Sequence, residues 1–206
     1  MSLFDAVEMA PRDPILGLNE QFNADPNPAK VNLGVGVYTD ENGKLPLLAC
    51  VKAAEAQLVE AARARGYLPI DGIAAYDKAV QGLVFGEGSP LVAAGRVATV
   101  QALGGTGGLK VGADFLKKLN PTAKVLISDP SWENHRALFT NAGFEVDSYR
   151  YYDAATRSID FAGMLADLNA APAGTIVLLH ACCHNPTGYD ISPAQWDEVI
   201  SVIKAK

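Results

Sequence analysis

From residue 95 onward, short runs of strand character alternate with amphipathic stretches, and no other feature constrains the fold of this chain so tightly. The runs are 97–100, 124–128, 145–149 and 175–179. Each has strand length, and 175–179 is a continuous apolar run that reads as a buried strand of a parallel sheet. Between them, Gly104-Gly105-Thr106-Gly107-Gly108 opens a helix with Leu109, Ala113 and Leu116 on one face. A second helix runs from Trp132 to about Asn141, and a third from Phe161 to Leu168. The last begins at Ser192, with Pro193 in its first position and Gln195 completing a capping box. Trp196, Val199, Ile200 and Ile203 are its expected buried face. Strand–helix alternation of this kind predicts an α/β fold with a mostly parallel sheet and helices on both faces. The alternation stops on a helix at Lys206, so an interrupted domain with an open strand edge and exposed apolar surface is expected.

The first 94 residues are less regular. Residues 1–30 read as an irregular segment, broken by Pro11, Pro14, Pro26 and Pro28, whose apolar side chains need another surface to dock on. Residues 31–38 read as a short strand carrying Gly34 and Gly36, followed by a turn over 40–44. The glycines suit either close packing or backbone that a ligand approaches. A helix is expected over 51–65, ended by Gly66, then a loop over 67–72, then a helix from about Ile73 to Phe85.

Open parallel sheets bind ligands at the carboxyl ends of their strands. Three polar loops fall there. The glycine run 104–108 lies between a strand and a helix, where free amides and the helix dipole favour an anion, and the Thr106 hydroxyl adds a donor. It is not a Walker loop, because Leu109 precedes Lys110 where a glycine is required and no Ser or Thr follows, and it is not a dinucleotide loop, because Lys110 stands where the third glycine should be. A plain glycine-rich turn is the alternative. Trp132, after Asp129-Pro130-Ser131, is either core or a face for a flat ring. Asn185, in His180-Ala181-Cys182-Cys183-His184-Asn185-Pro186-Thr187-Gly188, can donate to a phenolate-like oxygen or form an Asx-turn. His180, Cys182, Cys183 and His184 fit no zinc spacing, so no metal is expected.

Composition narrows the classes. The chain has 206 residues, 49% of them apolar, and a net charge of −6. It is core-forming and lacks the basic surface of a general nucleic-acid or anionic-membrane binder. No apolar run approaches membrane-spanning length. Three cysteines, two of them adjacent, point to a reducing, cytoplasmic setting. The N-terminus has no basic leader or apolar core, so no signal peptide is expected.

Taken together, the motifs resemble the pyridoxal-phosphate transaminases of fold type I, and within them the aspartate/aromatic amino-acid aminotransferases. The resemblance rests on residues 31–38, 66–72, 104–107, 129–135 and 180–188, in family order and across essentially the whole chain. It implies a three-layer α/β/α fold, truncated to its N-terminal half. It divides the chain into an arm at 1–13, part of a small domain at 14–46 and part of a large cofactor-binding domain at 47–206. The implied cofactor is pyridoxal 5'-phosphate. Gly104, Gly105 and Thr106 would cup its phosphate, Trp132 would stack on its ring and Asn185 would bond its phenolic oxygen. Tyr67 would reach the phosphate held by a partner subunit of a homodimer. Gly36, with Trp132 and Asn185, would lie beside the substrate. His135 would orient the acid that pairs with the pyridine nitrogen, His180 would be a further prop beside the ring, and Asp129-Pro130 and Asn185-Pro186 would be cis.

The implied reaction is transamination between an aspartate or aromatic amino acid and a 2-oxo acid. It needs a lysine to hold the cofactor and move a proton. None of the ten lysines sits in the family's lysine motif, so the chain is expected to be inactive alone. Another fold type I activity, a decarboxylase or lyase, and a non-catalytic truncated fragment are the competing readings.

Overall fold

The computed structural model describes residues 2, 4–9, 14–32, 34 and 36–206. The chain divides into two compact units, Met1–Gly66 and Tyr67–Lys206. No helix among the described residues is long and apolar enough to cross a membrane.

Among its described residues the first unit holds two helices, α1 (Pro14–Ala24) and α2 (Ala49–Ala61). The expected irregular segment therefore contains a helix. Pro14 begins it, in the first turn, where amide protons have no helical acceptor to lose. Lys30 Nζ finishes it, donating to the carbonyls of Phe22 and Asp25 at 2.5 and 2.8 Å. The strand expected over 31–38 is not formed by its described residues, and Leu33 and Val35 lie outside them. The turn after it is present, with Asp40 and Lys44 joined by an amide–carbonyl bond of 2.8 Å. Helix α2 stops at Ala62, in the left-handed region at φ 44°, and not at Gly66. It buries none of its residues, so little tertiary packing holds its last turn.

The second unit opens with α3 (Ala74–Phe85) and the short α4 (Pro90–Ala93), and continues into α5 (Gly104–Leu119). Then come β1 (Lys124–Asp129), α6 (Glu133–Asn141), β2 (Glu145–Arg150), a small antiparallel pair of β3 (Tyr152–Asp153) and β4 (Ser158–Ile159), α7 (Phe161–Ala170), β5 (Ile176–Val177) and α8 (Pro193–Lys204). The strand expected over 97–100 is absent. Among the described residues no strand lies beside it, and a strand without a neighbour has no ladder. The strand expected over 175–179 is paired only at Ile176 and Val177, although the amide of Leu178 still donates to the carbonyl of Leu126 at 2.9 Å.

The sheet is parallel, in the order β2-β1-β5. β1 pairs with β2 from Lys124↔Glu145 to Asp129↔Arg150, and with β5 at Val125↔Ile176 and Leu126↔Val177. The chain thus moves to one side of β1 through α6 and to the other through α7. Right-handed crossovers in opposite directions place those helices on opposite faces. Two cores result. On one face Ala113, Val125, Ile127, Phe139 and Phe144 pack under α5 and α6; on the other Tyr149, Met164, Leu168 and Val199 pack under α7 and α8. The expected sandwich of helices around a parallel sheet is therefore formed. Helix α8 meets its core through Trp196, Val199 and Val202, while the expected Ile200 and Ile203 remain 41% and 45% exposed.

This topology creates a crevice. The loop leaving β1 runs to α6 on one face, and the loop leaving neighbouring β5 runs to α8 on the other. Where adjacent loops diverge to opposite faces, a cleft opens at the carboxyl end of the sheet.

Candidate cofactor site

The loop after β1 turns at once. The Asp129-Pro130 peptide is cis, as is Asn185-Pro186 in the loop after β5, both as expected. Ser131 Oγ lies 2.9 Å from His135 Nδ1, across the first turn of α6. Trp132 stands at the N-cap of α6, half-buried, with its ring edge-on to His135 at 5.2 Å between centroids. His135 in turn lies 5.1 Å from His180, and His180 lies 4.3 Å from His184, edge to face. His184 stacks flat on Tyr151 at 3.9 Å. A continuous row of rings therefore links the two diverging loops.

Electrostatics keep these imidazoles neutral. Burial lowers the pKa of His135, and the His180 ring adds to the effect. Burial also lowers that of His180, against a smaller opposing pull from Asp190. His184 is brought down to about 4, first by burial and then by His180. Tyr151 goes the other way, to about 12, because burial disfavours its phenolate. Both ring nitrogens of His180 are buried with no hydrogen-bond partner. Such groups are costly unless something polar reaches them.

Helix α5 supplies a different kind of site. The short connection 120–123 sends it back along β1, so its first turn lies at the same end of the sheet as Trp132. It starts at Gly104, whose φ of 64° suits glycine, and no side chain caps it. Gly104 gives its amide to the carbonyl of Ala102 at 3.0 Å. The amides of Gly105 and Thr106 fall in the first turn, where no helical acceptor exists. A Cβ on Gly104 or Gly105 would meet nothing within 4 Å, so the approach is open. The exposed Thr106 hydroxyl stands beside them. Two amides, a hydroxyl and a helix dipole form a donor set suited to a phosphate.

The remaining candidates are more dispersed. Tyr67 is fully exposed, in a loop tied to the approach to α5: the amide of Gln101 donates to the carbonyl of Asp71, and Gln101 Oε1 accepts from the amide of Ile73, each at 3.0 Å. Asn185 is exposed at the tip of its loop. Gly36 belongs to the first unit, with open space where a Cβ would be. The cavity that Trp132 lines, 370 Å³ in volume and walled also by Ser128, Ser131, Glu133, Arg136 and Ser148, does not reach Thr106 or Asn185. Among the described residues no group of three His, Cys, Asp or Glu is placed to hold a metal ion.

Four contributors escaped the sequence reading. Ser128, Thr187 and Asp190 hold His184 and its loop, and Gln101 anchors the Tyr67 loop. Of these only Asp190 carried a signal, a carboxylate a few residues beyond a turn, where it can accept from loop amides.

Comparison with known proteins follows the same lines. Residues 28–206 match the family model described as aminotransferase class I and II. The chain is 67% identical over all its 206 residues to an aspartate aminotransferase of Pseudomonas aeruginosa, covering 52% of that protein. It is 50% identical over 205 residues to an aromatic-amino-acid aminotransferase of Escherichia coli K12, again covering 52%. A solved aromatic-amino-acid aminotransferase from Burkholderia pseudomallei, covalently bound to pyridoxal phosphate, superposes with a TM-score of 0.94 at 70% identity, over the whole of this chain and 51% of that one. The chain thus spans about half the length of the curated relatives it matches.

Proposed function

This chain belongs to the aminotransferase class I and II family, with the fold type I architecture of its solved relatives, and on that premise we propose that it contributes to a pyridoxal 5'-phosphate site serving transamination between an aspartate or aromatic amino acid and a 2-oxo acid. The observation that carries this reading is the ring row Trp132–His135–His180 at the diverging loops, ending in two buried ring nitrogens without partners.

The donor set fits the cofactor. Gly104, Gly105 and Thr106 would hold its phosphate through amides, hydroxyl and helix dipole. Trp132 would lie on its ring, and Asn185 would donate its amide to the phenolic oxygen. His135 and His180, neutral at physiological pH, would back the ring and orient whatever acid faces its nitrogen. When bound, pyridoxal phosphate supplies an electron sink for charge developing beside the amino group. Gly36 would leave room for a substrate carboxylate, and Tyr67 would serve the phosphate of the partner in a homodimer. The arm at 1–13, the small-domain portion at 14–46 and the large-domain portion at 47–206 belong to the same reading, as does a cytoplasmic location.

The proton-moving lysine is not among these residues. Lys110 pairs with Asp114 and Lys124 with Glu145. Lys30, Lys117 and Lys206 are engaged with backbone carbonyls. None of the ten lysines sits in the family's lysine motif, and on that ground the chain alone is expected not to turn over.

The test compares pyridoxal phosphate with pyridoxal by quenching of tryptophan emission. Thr106→Val should weaken pyridoxal phosphate by roughly tenfold, the loss of one bond to a charged group, and leave pyridoxal unchanged. Equal binding of the two compounds by the unaltered chain would sink the reading.

A further inference from the structure

His184 is 2% exposed, one residue before Asn185. Its neighbours fix where its proton sits. Ser128 Oγ lies 2.8 Å from the carbonyl oxygen of Pro130 and 2.9 Å from His184 Nε2. A carbonyl only accepts, so the single hydroxyl proton of Ser128 goes to Pro130, and Ser128 accepts from Nε2–H. Nδ1 is then unprotonated and accepts from Thr187 Oγ1 at 2.7 Å. The ring face is held against Tyr151, within 11° of parallel. The backbone is held as firmly. Asp190 accepts the amides of Cys183 and His184 at 2.7 and 2.8 Å, and the amide of Gly188 returns to the carbonyl of His184 at 2.7 Å. Asn185 lies inside this clamp, and its own side chain makes no hydrogen bond to the described residues, so its direction is set by the turn alone.

We infer that His184, as the Nε2–H tautomer bridging Ser128 and Thr187, is a positioning residue that ties the carboxyl end of β1 to the turn presenting Asn185. This rests on the proposed role of Asn185 toward the cofactor. The bridge spans 56 residues of sequence. It couples the loop of Trp132 to the loop of Asn185 through one ring, so the two move as one body.

Two measurements test it. Nitrogen-15 NMR of the imidazole reads the tautomer directly: a protonated Nε2 and a bare Nδ1 are expected, and the opposite assignment overturns the inference. A double-mutant cycle reads the coupling. His184→Phe keeps the stack on Tyr151 and removes both ring nitrogens; Thr187→Val replaces it in the cycle should that variant fail to fold. Asn185→Ala and His184→Phe should each weaken pyridoxal phosphate by about tenfold, and the double variant by no more than either, as for residues acting through one another. Multiplying losses, or undiminished binding by His184→Phe, overturn the inference. Failure of the unaltered chain to bind pyridoxal phosphate would refute the proposed function. The tie to β1 would then be judged by amide exchange at Cys183 and His184, which must quicken in the His184 variant; unchanged exchange overturns it.

Discussion

Gly72 and Gln101 are packed so closely that a Cβ on Gly72 would lie 2.3 Å from Cβ of Gln101. Gly72 also has a φ of 99°, where side chains are strained. The contact pins the loop of Tyr67 against the approach to the glycine run of α5. Gly72→Ala should therefore destabilise the second unit by roughly 2–3 kcal/mol, combining overpacking with backbone strain. Gly36→Ala, where a Cβ meets nothing within 4 Å, should change stability by less than about 0.5 kcal/mol. Urea denaturation of both variants checks the contrast.

Acid should loosen the ring row. His184 titrates near 4 in the folded chain against 6.5 for an ordinary imidazole, because burial disfavours its charged form. Between those values the unfolded chain binds more protons, so stability falls as pH drops through that window and is flat above it from this source. His135 and His180, lowered by the same cause, act in the same direction. Asp190 is held below the usual carboxylate range by the amides of His184 and Cys183, so its contribution is lost only at lower pH still. Thermal melts stepped from pH 6.5 to about 4 should show the decline, and His184→Phe should make it shallower while His135 and His180 keep part of it.

The start of α8 offers a local test. Ser192 Oγ accepts from the amide of Gln195 at 3.3 Å, and Gln195 Oε1 accepts from the amide of Ser192 at 2.8 Å. Ser192→Ala removes one half of the box and should cost about 1 kcal/mol. Because Val199 of the same helix is fully buried, that loss should register in the cooperative melt of the unit and not as fraying alone.

The same helix shows why part of the fold was legible in sequence. Ser192, Pro193 and Gln195 act within one turn, so their meaning is local. The parallel sheet was legible because apolar runs such as 124–128 have one use in a chain of this pattern. What failed depended on neighbours. The run 97–100 has strand composition, but a ladder needs a second strand. The β3–β4 pair was missed because Arg157, not glycine, takes the positive φ of 52° in its turn, with Asp153 holding Ala155 and Thr156 instead. In the candidate site the residue types were readable, the rows of contact were not. Nothing in the spacing of Ser128 and His184 announces that they touch.

The ladder joining β1 to β5 is only two residue pairs long, so the loop of Asn185 reaches the loop of Trp132 on a short strand helped by the Ser128–His184 bridge. During synthesis β1, α6 and β2 are complete once Arg150 has emerged, and a local βαβ unit can form then. Ser128 must wait for residues 176–187 before it meets its imidazole. The cleft is therefore completed late, when a short strand docks, so a ribosome paused before residue 176 carries the glycine run and Trp132 without the loop of Asn185.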